Sequence, residues 1–321
     1  MSNSITKRSQ NVENRLQSQA AYLPTPVREI LEALSGAAPQ QTAIAIRCVI
    51  GVDFTSAPSK QKNIVVARGH LTERRLTIER IDKLDNFAAF DALLAEPGPW
   101  IGGFDLPFGL PRELVTLLGW PTTWRELVTH AQALGKDAFK VALNRVRESR
   151  PMGARYIPRR GDAAAGSSSP MKLVNPPVGL MFFEGAPRIA RSGVSVVPCA
   201  PTEDSRIALE AYPGFLARQF TKTSYKKDGP EGRTAARERN REIIVDGLSS
   251  ASKVMGDLAV EIPESLRLMC VKDGSGDALD AVLCAVQAAM ASLVFKTGDM
   301  SYGMPKTADP LEGWITMVPD S

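Results

Sequence analysis

The sequence predicts an α/β protein in which an antiparallel meander leads into the parallel strands of one mixed sheet, with helices flanking it. Three observations carry this. Three strand-like segments follow one another early in the chain with short connections. Strand-like and helix-like segments then alternate. Two long helical patterns come late.

Residues 1–41 are set apart as an N-terminal extension. Residues 1–20 are polar, 26–34 (PVREILEAL) have the spacing of a short amphipathic helix, and GAAPQQ follows as a linker. The stretch 42–54 (TAIAIRCVIGVDF) is an apolar run fit for a buried strand. Segments 62–71 and 74–81 alternate as the next two strands, joined by a short connection at Leu71-Thr72-Glu73. Helical spacing returns over 86–96. A short apolar strand, WIGGFD, opens 100–111, and Pro107 follows it. Residues 112–149 are helical in pattern, interrupted at Trp120-Pro121. Residues 150–177, rich in Arg, Gly, Ser and Pro, have neither period and form a loop insertion. A helix is expected over 178–193, a strand at VSVVP, and another strand in RIALEAYPG (206–214). Long helices are expected over 232–259 and 274–295, and a terminal strand at GWITMV (313–318). The main domain therefore spans 42–321.

The chain has 321 residues, 44% hydrophobic and 23% charged, which suits one large α/β domain. The N-terminus lacks the apolar core of a secretory signal, and no unbroken apolar run is long enough for a bilayer. The expectation is a cytoplasmic protein without a membrane partner. Cys48, Cys199, Cys270 and Cys284 are scattered, with no C-x-x-C pair, so zinc-ribbon and thioredoxin chemistry have no support. His70 and His130 are the only histidines, which argues against a histidine-rich metal site and leaves little for a Ser-His-Asp triad.

The acids carry the chemical signal. Asp53 ends the first strand, Asp105 ends WIGGFD, and Glu210 lies in RIALEAY. Asp277 and Asp280 begin an otherwise apolar helix, three residues apart and so on one face. A carboxylate at the mouth of a buried strand needs a partner, because a buried unpaired charge is costly. Asp53 also suits a turn, and Asp277 suits an N-terminal cap. Asp280 suits a cap less well, since Ala281, Cys284 and Ala288 continue its face into the core. Oxygen ligands at strand ends and on a buried helix fit Mg²⁺ or Mn²⁺. Two such ions about 3.5–4 Å apart support phosphodiester hydrolysis without His or Cys.

Net charge is +4, yet residues 218–241 alone hold eight basic side chains against three acids. That stretch supplies the basic character, either as a solvated helix face or as a phosphate-tracking surface. Lys222, Tyr225, Lys226, Lys227 and Arg237 within it, with Arg160 of the 150–177 loop, are the candidate substrate-binding residues. Tyr212, Tyr225 and Trp124 are the aromatics available either to stack on bases or to fill the core.

The segments IGVDF, GFDLPFGLP, RIALEAYPGFLAR, SYK and GDALDAVLCAVQAA, in that order, resemble the motifs of the domain-of-unknown-function-429 family, predicted nucleases with a ribonuclease H-like fold. The GDALDA helix is also similar to the acid-bearing C-terminal helix of Holliday-junction resolvases. The resemblance covers roughly residues 44–318. It implies a ribonuclease H-like sheet and a metal site of Asp53, Asp105, Asp277 and Asp280. Glu210 matches the family's Glu-x-Tyr-Pro motif and joins the catalytic set. The implied activity is metal-dependent nucleic-acid cleavage. Two alternatives stand beside it. One is a phosphotransferase or ATPase of the actin and sugar-kinase type, against which the loop Phe54-Thr55-Ser56-Ala57-Pro58 after the first Asp has no glycine to cradle a phosphate. The other is a non-catalytic nucleic-acid-binding protein of the same fold.

Overall fold

Alternation along the strands decides what each face of the sheet receives. In β1 (Cys48–Asp53), Val49 and Gly51 point to one side, and Ile50 and Val52 point to the other. All are buried, so the strand is a continuous apolar run covered on both faces. The computed structural model describes residues 48–227, 229, 233–250 and 255–320. The expected helix at 26–34, the extension 1–41 and the start of the first expected strand lie outside the described residues.

The architecture is α/β with a seven-stranded mixed sheet in the order β5-β6-β4-β1-β2-β3-β7. β2 (Ile64–Thr72) pairs antiparallel with β1 and with β3 (Arg75–Leu84), which makes the meander. β4 (Trp100–Asp105), β6 (Arg206–Glu210) and β5 (Ser195–Val197) extend it as parallel strands from β1, and β7 (Ala259–Glu261) adds parallel to β3. One face carries α1 (Phe87–Leu94), α2 (Arg112–Leu118), α3 (Trp124–Leu134), α4 (Lys136–Ser149) and α6 (Val178–Ser192). The other carries α8 (Ala235–Ser249), α9 (Glu264–Lys272) and α10 (Asp277–Lys296). Two short helices, α5 (Arg160–Ala165) and α7 (Pro213–Ala217), sit in the connections.

α10 is the central helix of its layer. Every residue from Ala278 to Ser292 is buried. By length and composition it would suit a bilayer, contrary to the expectation that no such run exists, but its apolar surface is spent on packing inside the protein. It lies unusually close to the sheet. A Cβ at Gly51 would fall 2.0 Å from the Ala281 carbonyl oxygen, and one at Gly103 would fall 2.3 Å from that of Cys284. Only glycine at these two positions lets backbone meet backbone.

Several expected boundaries differ. The helical stretch 112–149 is three helices, because Gly135 breaks the pattern as well as Trp120-Pro121. The 150–177 segment is not without regular structure. It contains α5, whose start is held by Asp162 accepting the Arg159 backbone N–H at 3.0 Å. The helix expected over 232–259 ends at Ser249, and β7 and α9 follow. The terminal strand at 313–318 reduces to one parallel bridge between Ile315 and Glu210, since left-handed backbone at Gly313 and Met317 turns the chain away.

Candidate active site

The same alternation that builds the core aims the acids. Asp53 continues the Val49–Gly51 face, and Asp105 continues the Ile101–Gly103 face, so both point toward α10. They are direct register partners at the C-terminal ends of adjacent parallel strands. Ligands of open α/β sheets bind beyond this edge. Glu210 obeys the same rule with the opposite result. It pairs with Phe104, whose ring lies in the core on the other face, so it turns away from α10, although it lines the same large cleft as Asp53, Asp105 and Asp277.

Glu210 belongs instead to a buried ion network. The Arg159 guanidinium donates to it through Nη1 at 2.8 Å and Nη2 at 2.5 Å, to Asp162 at 2.8 and 3.0 Å, and to the Glu312 carbonyl at 2.8 Å. The Phe108 N–H also donates to Glu210, at 2.9 Å. The sequence points to Arg160 of the 150–177 loop as the substrate-binding arginine. Arg160 pairs with Asp320 at 2.9 Å, outside the cleft lining, while Arg159 lines the cleft and is almost wholly buried.

The N-terminus of α10 brings Asp277 and Asp280 to the same side of the sheet as Asp53 and Asp105. Both have partners. Asp277 accepts from Lys62 Nζ through both oxygens at 3.0 Å. Asp280, fully buried, accepts the Tyr225 hydroxyl at 2.6 Å on one oxygen and the Lys226 ammonium on the other. Lys62, which precedes β2, gave no sequence signal, because a lysine before a strand is ordinary surface composition. The Tyr225–Lys226 arm is itself anchored. Arg241 of α8, buried, donates to the Tyr225 carbonyl and to that of Val271, each at 2.7 Å.

Asp53 and Asp105 differ from the other acids. Among the described residues neither accepts a hydrogen bond or forms an ion pair, although Asp53 is only 8% exposed. Burial chiefly, with the Asp280 charge adding, holds the Asp53 carboxyl well above the usual carboxylate range. Burial pushes Asp105 up to about 7, with Lys226 opposing and Asp280 and Glu210 adding. Asp280 is also raised by burial, against the pull of Lys226. Burial works against the Lys226 ammonium, but Asp280, with Tyr225, Asp53 and Asp105, holds its pKa well above the ordinary value.

These groups meet a cleft of about 830 Å³ lined by Asp53, Asp105, Asp277, Lys226 and Lys227 among others. A smaller cleft of about 380 Å³ adjoins it and carries Lys222 and Tyr225. Asp105, Tyr212 and Lys226 line both. Arg237 lies at the start of α8, outside both linings. Of the three candidate stacking aromatics, Trp124 is a core residue donating to the Phe108 carbonyl at 2.6 Å, and Tyr225 is buried on Asp280. Only Tyr212 is half-buried, with Arg218 over its ring.

Among the described residues, no three His, Cys, Asp or Glu side chains close on one point. The expected convergence of Asp53 and Asp105 with one or both of Asp277 and Asp280 therefore holds for their side of the sheet but not as a ready-made cage. Lys62 and Lys226 pair with two of the carboxylates. The donor set still suits a hard cation, because Mg²⁺ is commonly held by one or two carboxylates and keeps several waters. Comparison with protein-family models, curated proteins and solved structures finds no match for this chain.

Proposed function

We propose that this chain is a divalent-metal-dependent phosphodiesterase acting on nucleic acid, with a ribonuclease H-like fold. One observation carries the reading: Asp53, buried, and Asp105, half-buried, are adjacent in register at the cleft, and neither has a hydrogen-bond or ion-pair partner among the described residues. Two carboxylates left in that state are expensive unless something cationic meets them. An antiparallel meander followed by parallel strands, with the acid-bearing helix packed across β1, is the arrangement the sequence resemblance implies and supports the fold assignment.

Mg²⁺ or Mn²⁺ held there supplies Lewis-acid activation of water and offsets charge on a scissile phosphate. The chain's own residues do the rest. Asp53 and Asp105 would hold the ion from the strand ends. Lys226 and Lys227 at the large cleft, and Lys222 at the small one, draw phosphates toward it. Glu210 and Arg159 fix the loop after β4, through the Phe108 N–H, against the C-terminal segment at Glu312.

The test is cleavage of single- and double-stranded DNA and RNA with Mn²⁺ or with chelator. Cleavage that needs metal and falls at least about a hundredfold in Asp53→Asn and Asp105→Asn supports the reading, that being the scale for loss of a catalytic electrostatic group. Nucleic-acid binding without cleavage, unchanged in both variants, would leave a binding protein instead.

A further inference from the structure

We infer that Lys226 takes the place of a second cation, so that the site holds one divalent ion rather than two. The inference rests on the metal reading above and concerns how that site is filled.

A second ion about 3.5–4 Å from the first needs a carboxylate of its own. Asp280 is the candidate by position, and it is already occupied on both oxygens, by the Tyr225 hydroxyl and the Lys226 ammonium. It is fully buried and does not reach the wall of either cleft, whereas Lys226 lines both. The ammonium thus stands between Asp280 and the space where an ion and a phosphate would lie. Asp277 is likewise taken, by Lys62. Asp53 and Asp105 alone remain, enough for one ion with waters.

Charge gives the same count. The four aspartates bring four negative charges, Lys62 and Lys226 remove two, and one divalent ion balances the remainder.

Lys226 is also built into its position. The Arg241 guanidinium holds the carbonyl of the preceding residue. The stem of Lys226 packs on the cap of α10, where a Cβ at Gly276 would fall 2.7 Å from its Cβ. Gly276 has φ +81°, so glycine there serves both the left-handed cap and the close approach. A lysine held this way offers a fixed positive charge to a phosphate at the junction of the two clefts.

The experiment is calorimetric titration of the full chain with MnCl₂, with electron paramagnetic resonance of bound Mn²⁺ as a second readout. Wild type is expected to bind one Mn²⁺. Lys226→Met, which frees one oxygen of Asp280, is expected to bind two and to show a spin-coupled Mn²⁺ pair, and Lys226→Arg is expected to bind one. Two ions in the wild type would overturn the inference without needing any variant, and would leave the metal reading standing. A single ion in a folded Lys226→Met would overturn it too. No Mn²⁺ bound by any form would remove the metal reading itself, and the inference with it.

Discussion

Asp53 and Asp105 stand on one rung of two parallel strands, and both face α10. Adjacent strands lie about 4.8 Å apart, so two carboxylates on one rung repel strongly when both are ionised and little water reaches them. The arrangement lowers stability without a cation and favours capture of one.

Asp53→Asn removes one of the two repelling charges. The metal-free protein is expected to melt at the same temperature or up to about 4 °C higher, the scale of roughly 1 kcal/mol in a domain this large. Mn²⁺ binding is expected to be lost. Asn is a good turn residue, so a merely structural Asp53 would leave both melting and Mn²⁺ affinity unchanged. Thermal melts and calorimetry on the same samples separate the two.

Asp105 sets the pH dependence. Its carboxyl keeps a proton to about 7 in the folded protein but releases it near 3.8 when unfolded. The folded state therefore binds more protons between those values, and this group's contribution to stability is present below 3.8 and lost as pH rises to about 7. Asp105→Asn should flatten that part of the metal-free stability profile. Mn²⁺ must displace this proton and that of Asp53, which is held high as well, so its affinity should rise at least about tenfold per pH unit below 7. Affinity that stays flat from about pH 5.5 to 8 would contradict this assignment.

Arg159 is the expected weak point of the fold. Arg159→Met leaves Glu210 and Asp162 buried without their cation, at an expected cost of about 3–5 kcal/mol. Adding Glu210→Gln should recover part of that loss, because the uncompensated charge goes with it. Denaturant melts of the single and double variants measure the coupling, and strictly additive losses would show that Arg159 and Glu210 act independently.

Gly51→Ala tests how the helix is brought to the acids. The added methyl would meet α10 backbone at 2.0 Å, and backbone has no rotamer with which to give way. The expected outcome is destabilisation beyond the 1–3 kcal/mol of ordinary overpacking. A variant that melts within a degree of wild type would mean that α10 can shift freely over β1.

The fold was largely legible in the sequence because its strands are strongly patterned. The run ending at Asp53 and the alternation of 62–71 and 74–81 each follow from which faces are buried. β7 was hidden because it is three residues long and gains its pairing only from β3. The terminal GWITMV has strand composition but no ladder to join beyond the single bridge at Ile315. In the site, the strand-end position of Asp53 and Asp105 and the helical spacing of Asp277 and Asp280 could be read directly. Facing could be read only relative to neighbours in the same strand. Glu210 follows Ala208 and not Leu209 in alternation, but without the β4–β6 register nothing says which face is which. The ion pairs of Lys226 and Lys62 lie 54 and 215 residues from their partners in sequence, and no local pattern encodes such distances.

The most direct measurement is diffraction from crystals soaked in MnCl₂, recorded at the manganese absorption edge. The account expects one anomalous peak, about 2.0–2.2 Å from carboxylate oxygens of both Asp53 and Asp105, with Lys226 still on Asp280. Manganese elsewhere on the protein, with Asp53 and Asp105 unliganded at saturating metal, would contradict the central claim.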